Sequence, residues 1–211
     1  NTPSMTLNGH TFTKIVNNEL CIVSAQVYPV SGHMVTTQGI FRLESGTRLN
    51  GDASNTLRVK PGAKLDLYNL ASATNATPWT LICDPFSFVT AGMGAHPYNT
   101  WWGPVTLDGT LFLDGGSWDR SVGFSNTVGG VGSLVKNGAC QAYLFGNNNT
   151  YAGTTAVSNG ILHVLFPGGL PGHDEGGRVT VGPSGTLVTY YADDGSGWTK
   201  EQLDDVRTNT A

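Results

Sequence analysis

Charge is what this sequence has least of. Lys and Arg together number 11 and Asp and Glu 15, so charged residues are 12% of the 211, about half the usual globular share. The net charge is -4 and the cations are scattered, which excludes the basic stripe of a nucleic-acid-binding protein. Disorder is excluded as well, because it needs few apolar residues and high net charge, whereas 39% of this chain is apolar. No apolar run approaches the roughly 18 residues of a membrane span. Three cysteines, Cys21, Cys83 and Cys140, are too few, too far apart and odd in number for a disulfide framework or a CxxC metal site. Their apolar contexts read as buried free thiols. The start, NTPSMTLNGHTF, lacks the basic end and apolar core of a signal peptide. It does not begin with Met, and a mature chain or a segment of a longer protein is expected.

Several catalytic signatures are missing too. There is no GxSxG elbow. GMGAHP and GGVGSL open like dinucleotide loops without the last glycine, and GGVGSL lacks the Asp of calcium-binding nonapeptides. The GHG and RxK companions of polygalacturonase-like β-helix enzymes do not occur. Asn75-Ala-Thr and Asn148-Asn-Thr are sequons that chance composition explains.

Glycine, by contrast, is plentiful at 29 residues, together with Thr, Asn and scattered Val, Leu and Ile. That is the composition of an all-β chain with many tight turns. A short unit recurs: glycine, then alternating apolar and polar residues, as in SGTRLNG, PGAKLDL, DGTLFLDG, VGSLVKNG, NGILHV and SGTLVTY. Its glycines, Gly46, Gly62, Gly109, Gly132, Gly160 and Gly185, are 16, 47, 23, 28 and 25 residues apart. Period two means strands with one buried face, as at Leu111 and Leu113 or Leu162 and Val164. Irregular spacing favours a solenoid, whose loops lengthen without disturbing stacked strands. An antiparallel β-sandwich, with a turn every 8 to 12 residues, is the alternative, kept open by AsnGly pairs at 50, 137 and 159. The 47-residue interval is about two ordinary ones, so one coil there has lost its signature or carries an insertion, placed at 68–108. Helical pattern is confined to TKEQLDDVR, where Thr199 and Gln202 have capping-box spacing and Leu203 and Val206 share a face. A helical cap is expected over 196–211, the whole chain being one domain.

Residues 132–164 resemble the autotransporter-associated β-strand repeat. The matching positions are Gly132, Leu134, Lys136, Gly138, Leu144, Gly146, Asn149, Tyr151, Gly153, Thr154, Thr155, Val157, Gly160 and Leu162. LNGHTFTKIVNNELCIV, from Leu7, is a weaker echo, and Ala139, Cys140 and Gln141 depart from the pattern. The resemblance implies a right-handed parallel β-helix on a secreted or surface-displayed bacterial protein, a passenger or adhesin-like scaffold whose repeats carry no chemistry of their own. No cofactor or metal and no membrane insertion are implied. Stacked coils would set apolar ladders inside and align Asn side chains at the corners.

Function must then lie in the loops. HPYNTWWGP gathers His96, Tyr98, Asn99, Trp101 and Trp102, and flat aromatic faces beside polar groups would bind glycans of a host or environmental surface. Burial of the same aromatics is the competing expectation, and would leave a structural spacer. Trp79, Trp118 and Trp198 read as packing residues. PGHDEGGR holds His173, Asp174, Glu175 and Arg178, and DGGSWDR holds Asp114, Asp119 and Arg120; adjacent side chains on a loop diverge, so solvated corners are expected. A carbohydrate-active enzyme using Asp114, Asp119, Asp174 or Glu175 is the rival, and it requires two carboxylates meeting in a groove with an Arg or Lys.

Overall fold

Alternation of apolar and polar residues becomes three stacked sheets. The computed structural model describes residues 2–70, 76–93, 99–192 and 194–210. Its strands are mostly short and bury every second side chain. Leu57 and Val59, Leu81 and Cys83, Val105 and Leu107 point inward from consecutive rungs of one sheet. Leu65 and Leu67, Val89 and Ala91, Leu111 and Leu113 do so from another. Every pairing between these strands is parallel. Parallel neighbours need a crossover between them, and here the crossover is the rest of one coil. Ile40 lies opposite Lys64, Lys64 opposite Phe88 and Phe88 opposite Phe112, steps of 24 residues. The result is an all-β β-solenoid of about eight turns with one short C-terminal helix, and the antiparallel sandwich is excluded.

One side of the stack carries Ser4–Thr6, Gln26–Tyr28 and Arg48–Leu49 and, further along, Thr100–Trp101, Ser121–Phe124 and Gln141–Leu144. A second runs from Thr11–Lys14 through His33–Thr36, Thr56–Val59, Thr80–Cys83 and Val105–Leu107 to Val128–Gly130. The third runs from Glu19–Val23 through Ile40–Glu44, Lys64–Tyr68, Ser87–Met93 and Leu111–Asp114 to Leu134–Lys136. Thr155–Val164 turns the corner without a break. Its first part pairs with Leu134–Lys136 and its second with Gln141–Leu144, and Val179–Thr189 pairs along both parts.

The signature glycines fall at two different corners, which explains their irregular spacing. Gly62, Gly109 and Gly132 precede third-sheet strands, while Gly46, Gly160 and Gly185 lie where the chain leaves that sheet. Close stacking requires glycine at part of the first corner, where a Cβ on Gly132 would sit 2.0 Å from the Gly109 carbonyl oxygen, whereas Gly62 has open space and is set by its φ of 76°. Residues 68–108 are not an insertion. They hold Thr80–Cys83, Ser87–Met93 and Val105–Leu107 in the stack, and the coil between Gly62 and Gly109 has lost its signature because Phe86 stands at that corner. Phe86 has a φ of 60°, accepts from Gly62 N–H and donates to Thr110 O.

The interior is filled by ladders with a few polar fixtures. Trp79 donates from Nε1 to Asn50 O at 2.7 Å, and Trp101, on the next coil, donates to Trp79 O at 2.9 Å. Trp198 reaches Val164 O at 3.0 Å. Asn149 accepts from Val128 N–H and donates to Gly169 O, so buried asparagines bond to backbone above and below them. They do not form the side-chain ladder expected from their alignment, because at a corner the unpaired partners are peptide groups. Lys136 occupies an inward rung between Leu113 and Val157, where its ammonium donates to Asn137, Gly138 and Asn159 carbonyls at 2.7–3.0 Å. Cys83 and Cys140 are buried thiols, but Cys21 is exposed, since it alternates with inward Leu20 and Ile22 and lies opposite Arg42 on the outer face. Lys200–Asn209 is the expected helix, with Thr199 and Gln202 completing its capping box, and Leu203 and Val206 rest against the core beside Val181 and Leu187.

Candidate ligand-binding surfaces

The residues nominated for glycan binding do not share one surface. Trp101 is fully buried by its coil neighbours. Asn99, also fully buried, accepts from Leu70 N–H and donates to the Met93 and Ser121 carbonyls. Both act as scaffold, because the corner they occupy needs an amide bridge and a space-filling indole. Trp102 is half-buried, with its N–H held by the Thr77 hydroxyl. His96 and Tyr98 lie outside the described residues. Trp79 and Trp198 pack as expected, but Trp118 is 73% exposed, on a turn that projects from the stack.

The nominated carboxylates do not converge either. Asp119 accepts from the Ser117 hydroxyl on its own turn. Glu175 faces Arg178 at 3.7 Å across one loop, and Asp174 is exposed. His173 stands edge-on to Trp198 with ring centroids 5.0 Å apart. Asp114 does line a groove, but its companion carboxylate there is Asp66, which no motif in the sequence marks. Among the described residues no group of three His, Cys, Asp or Glu is placed to hold a metal ion.

An aromatic strip instead crosses the outer face of the first sheet near the C-terminal end. In a strand the side chains between the buried ones face solvent: Tyr143 and Phe145 alternate with buried Ala142 and Leu144, and His163 alternates with buried Leu162 and Val164. Tyr143 lies opposite His163 on the next rung, and their rings stack 4.2 Å apart and 3° from parallel. Tyr143 also stacks on Phe145 at 5.4 Å. Gly123, opposite Tyr143, leaves Phe145 its place, since a Cβ there would come within 2.6 Å of that ring. Hydrogen bonds fix the polar edges. Tyr143 donates to Gln141 Oε1 at 2.8 Å, and His163 lies 3.0 Å from the same oxygen and 3.1 Å from the Tyr190 hydroxyl. Burial raises the Tyr143 hydroxyl above its ordinary range, and the neighbouring Tyr190 adds to the shift, so Tyr143 remains a neutral donor at physiological pH.

Beside this strip opens a shallow cleft of about 380 Å³, lined by Tyr143, Phe145, Leu165, Phe166, Tyr190 and Ser196. Tyr190 is 44% exposed. Broad aromatic faces with a few hydroxyl and imidazole groups at the rim are suited to a ring that is apolar on its faces and polar around its edge.

No family model matches the chain, and neither does any curated protein or solved structure.

The signal for this strip was in the sequence as a period. Tyr143 and His163 are 20 residues apart and Phe145 two residues further along the strand, but without the rung register neither could be assigned to the outer face.

Proposed function

We propose that the chain is a non-catalytic β-helix segment of a secreted or surface-displayed bacterial protein. In this reading it is a passenger-like stalk that binds glycans on its outer aromatic strip. The observation that carries this is the outward-facing, half-buried and hydrogen-bonded stack of Tyr143 on His163 beside the Phe145 and Tyr190 cleft. Aromatic faces grouped on an outer surface tend to mark contact sites, and these are pre-set by the rung register and by Gln141. The resemblance of residues 132–164 to the autotransporter-associated repeat supports the same role. In that stretch Asn149, Tyr151 and Thr155 are all interior, Tyr151 meeting Thr155 at 2.6 Å. The matched positions therefore build coil, and the ligand is left to side chains that the motif does not specify. Among the described residues no helix is long and apolar enough to cross a membrane.

A glycan array probed with the full chain tests the assignment. Tyr143→Ala and His163→Ala should each abolish the neutral-glycan signal, with the circular dichroism of the β stack unchanged. Absence of any neutral-glycan signal for the wild type, or full retention by both variants, would remove the aromatic strip as the site.

A further inference from the structure

A second groove lies on the outer face of the third sheet and differs in chemistry from the aromatic cleft. It encloses about 440 Å³ and is lined by, among others, Arg42, Lys64, Asp66, Tyr68, Asp114 and Arg120. Arg42 pairs with Asp66, Asp66 with Thr90 and Thr90 with Asp114, so the groove spans four rungs, about 14 Å of stack. Its ion pairs leave an imbalance. Arg42 is answered by Asp66 at 2.6 Å and Glu19 at 2.8 Å, and its guanidinium lies over the Tyr68 ring at 4.5 Å. Asp66 also accepts from Thr90, and Asp114 accepts from Gly115 N–H. Lys64 has no acidic partner among the described residues and lies 5.2 Å from the Phe88 ring centre. The Arg120 guanidinium has no hydrogen-bond or ion-pair partner among them. Asp114 likewise lacks a cationic partner among the described residues, so the three cations and two carboxylates of the lining leave one net positive charge, in a chain whose net charge is -4.

The turn that carries Arg120 also carries Trp118, which is 73% exposed. That turn is held in shape: Arg120 N–H donates to Ser117 O, and the Ser117 hydroxyl to Asp119. Gln141 Nε2 donates to Trp118 O at 2.9 Å, anchoring the turn to the first sheet. The turn thus carries an exposed indole two residues before a guanidinium without a partner among the described residues, a flat apolar face and an anion receptor on one short segment.

We propose that this groove binds a saccharide chain carrying carboxylate or sulfate groups, with Arg120 and Lys64 receiving the anionic oxygens and Trp118 covering a sugar face. The site shares no residue with the aromatic cleft, so it stands whether or not the cleft binds neutral glycans. Affinity gels containing polygalacturonate, fully methyl-esterified polygalacturonate, dextran sulfate or plain dextran provide the test on the full chain. Polygalacturonate or dextran sulfate should retard the protein, the methyl ester and dextran should not, and added salt should relieve the retardation. Whichever polyanion retards more identifies carboxylate or sulfate as the group read. Arg120→Ala, Lys64→Ala and Trp118→Ala should each weaken retention about fivefold to tenfold. Arg120→Lys should keep most of it, which separates lost charge from lost fold, and Phe166→Ala, in the aromatic cleft, should leave it unchanged. Equal retardation by the acid and its methyl ester, or wild-type retention by both Arg120→Ala and Lys64→Ala, overturns the proposal.

Discussion

Lys136 shows how one side chain can serve a fold poor in charge. It is fully buried on a rung whose neighbours are Leu113 and Val157, and burial draws its ammonium below the usual lysine range, opposed by the nearby Cys140 thiol. Three carbonyls at the corner take its three protons, and two of them, on Asn137 and Gly138, lie between strands where the chain changes direction. Lys136→Met keeps the aliphatic stem but strands the acceptors, so a loss of about 3 kcal/mol in chemical denaturation is expected. A loss below about 0.5 kcal/mol would show that water or relaxation satisfies the corner. The sequence marks Lys136 as a repeat position but not as interior, because an inward lysine breaks the very alternation used to find strands. Trp101 and Trp118 illustrate the same limit. Both sit in stretches of sequence rich in small and polar residues, yet Trp101 is on a strand and in the core while Trp118 is on an exposed turn, since only the rung register decides which way an indole turns.

At the scale of the strand and its corner, most of the fold was legible. Period two found the strands, glycine found the corners, and the capping-box spacing found the helix. The coil between Gly62 and Gly109 was not legible, because its corner residue is Phe86. A non-glycine residue at φ 60° carries a steric cost of about 1 kcal/mol, and the Phe86 side chain is 63% exposed, so little packing offsets it. Phe86→Gly should therefore raise stability by about 0.5–1 kcal/mol, the relieved strain being partly cancelled by the greater freedom of glycine in the unfolded chain. Thermal unfolding monitored by circular dichroism checks this. A lower midpoint for the variant would mean that the Phe86 ring makes a contribution its exposure hides.

Across the whole molecule, stability is built mainly from contacts between adjacent coils, with Arg58 reaching two coils along to Asp108. Central rungs such as Leu111–Asp114 are paired on both sides, to Ser87–Met93 and Leu134–Lys136. The first coil is paired on one side only, Ser4–Thr6 to Gln26–Tyr28 and Thr11–Lys14 to His33–Thr36, and its inward Met5, Phe12 and Leu20 are only partly buried. The other end is closed differently. Trp198 is fully buried, and Leu203 and Val206 of the helix lie against the last rungs. Opening should therefore start at the first coil and move inward, with hydrogen-exchange protection lowest over residues 4–23, highest over residues 105–136 and intermediate at the helix-covered end. Trp198→Ala removes an indole and its bond to Val164 O, at a cost of about 3–5 kcal/mol. It should collapse protection across residues 161–189 while leaving residues 56–93 as slow to exchange as before. Uniform loss along the stack would instead mean that the eight turns open as a single cooperative unit.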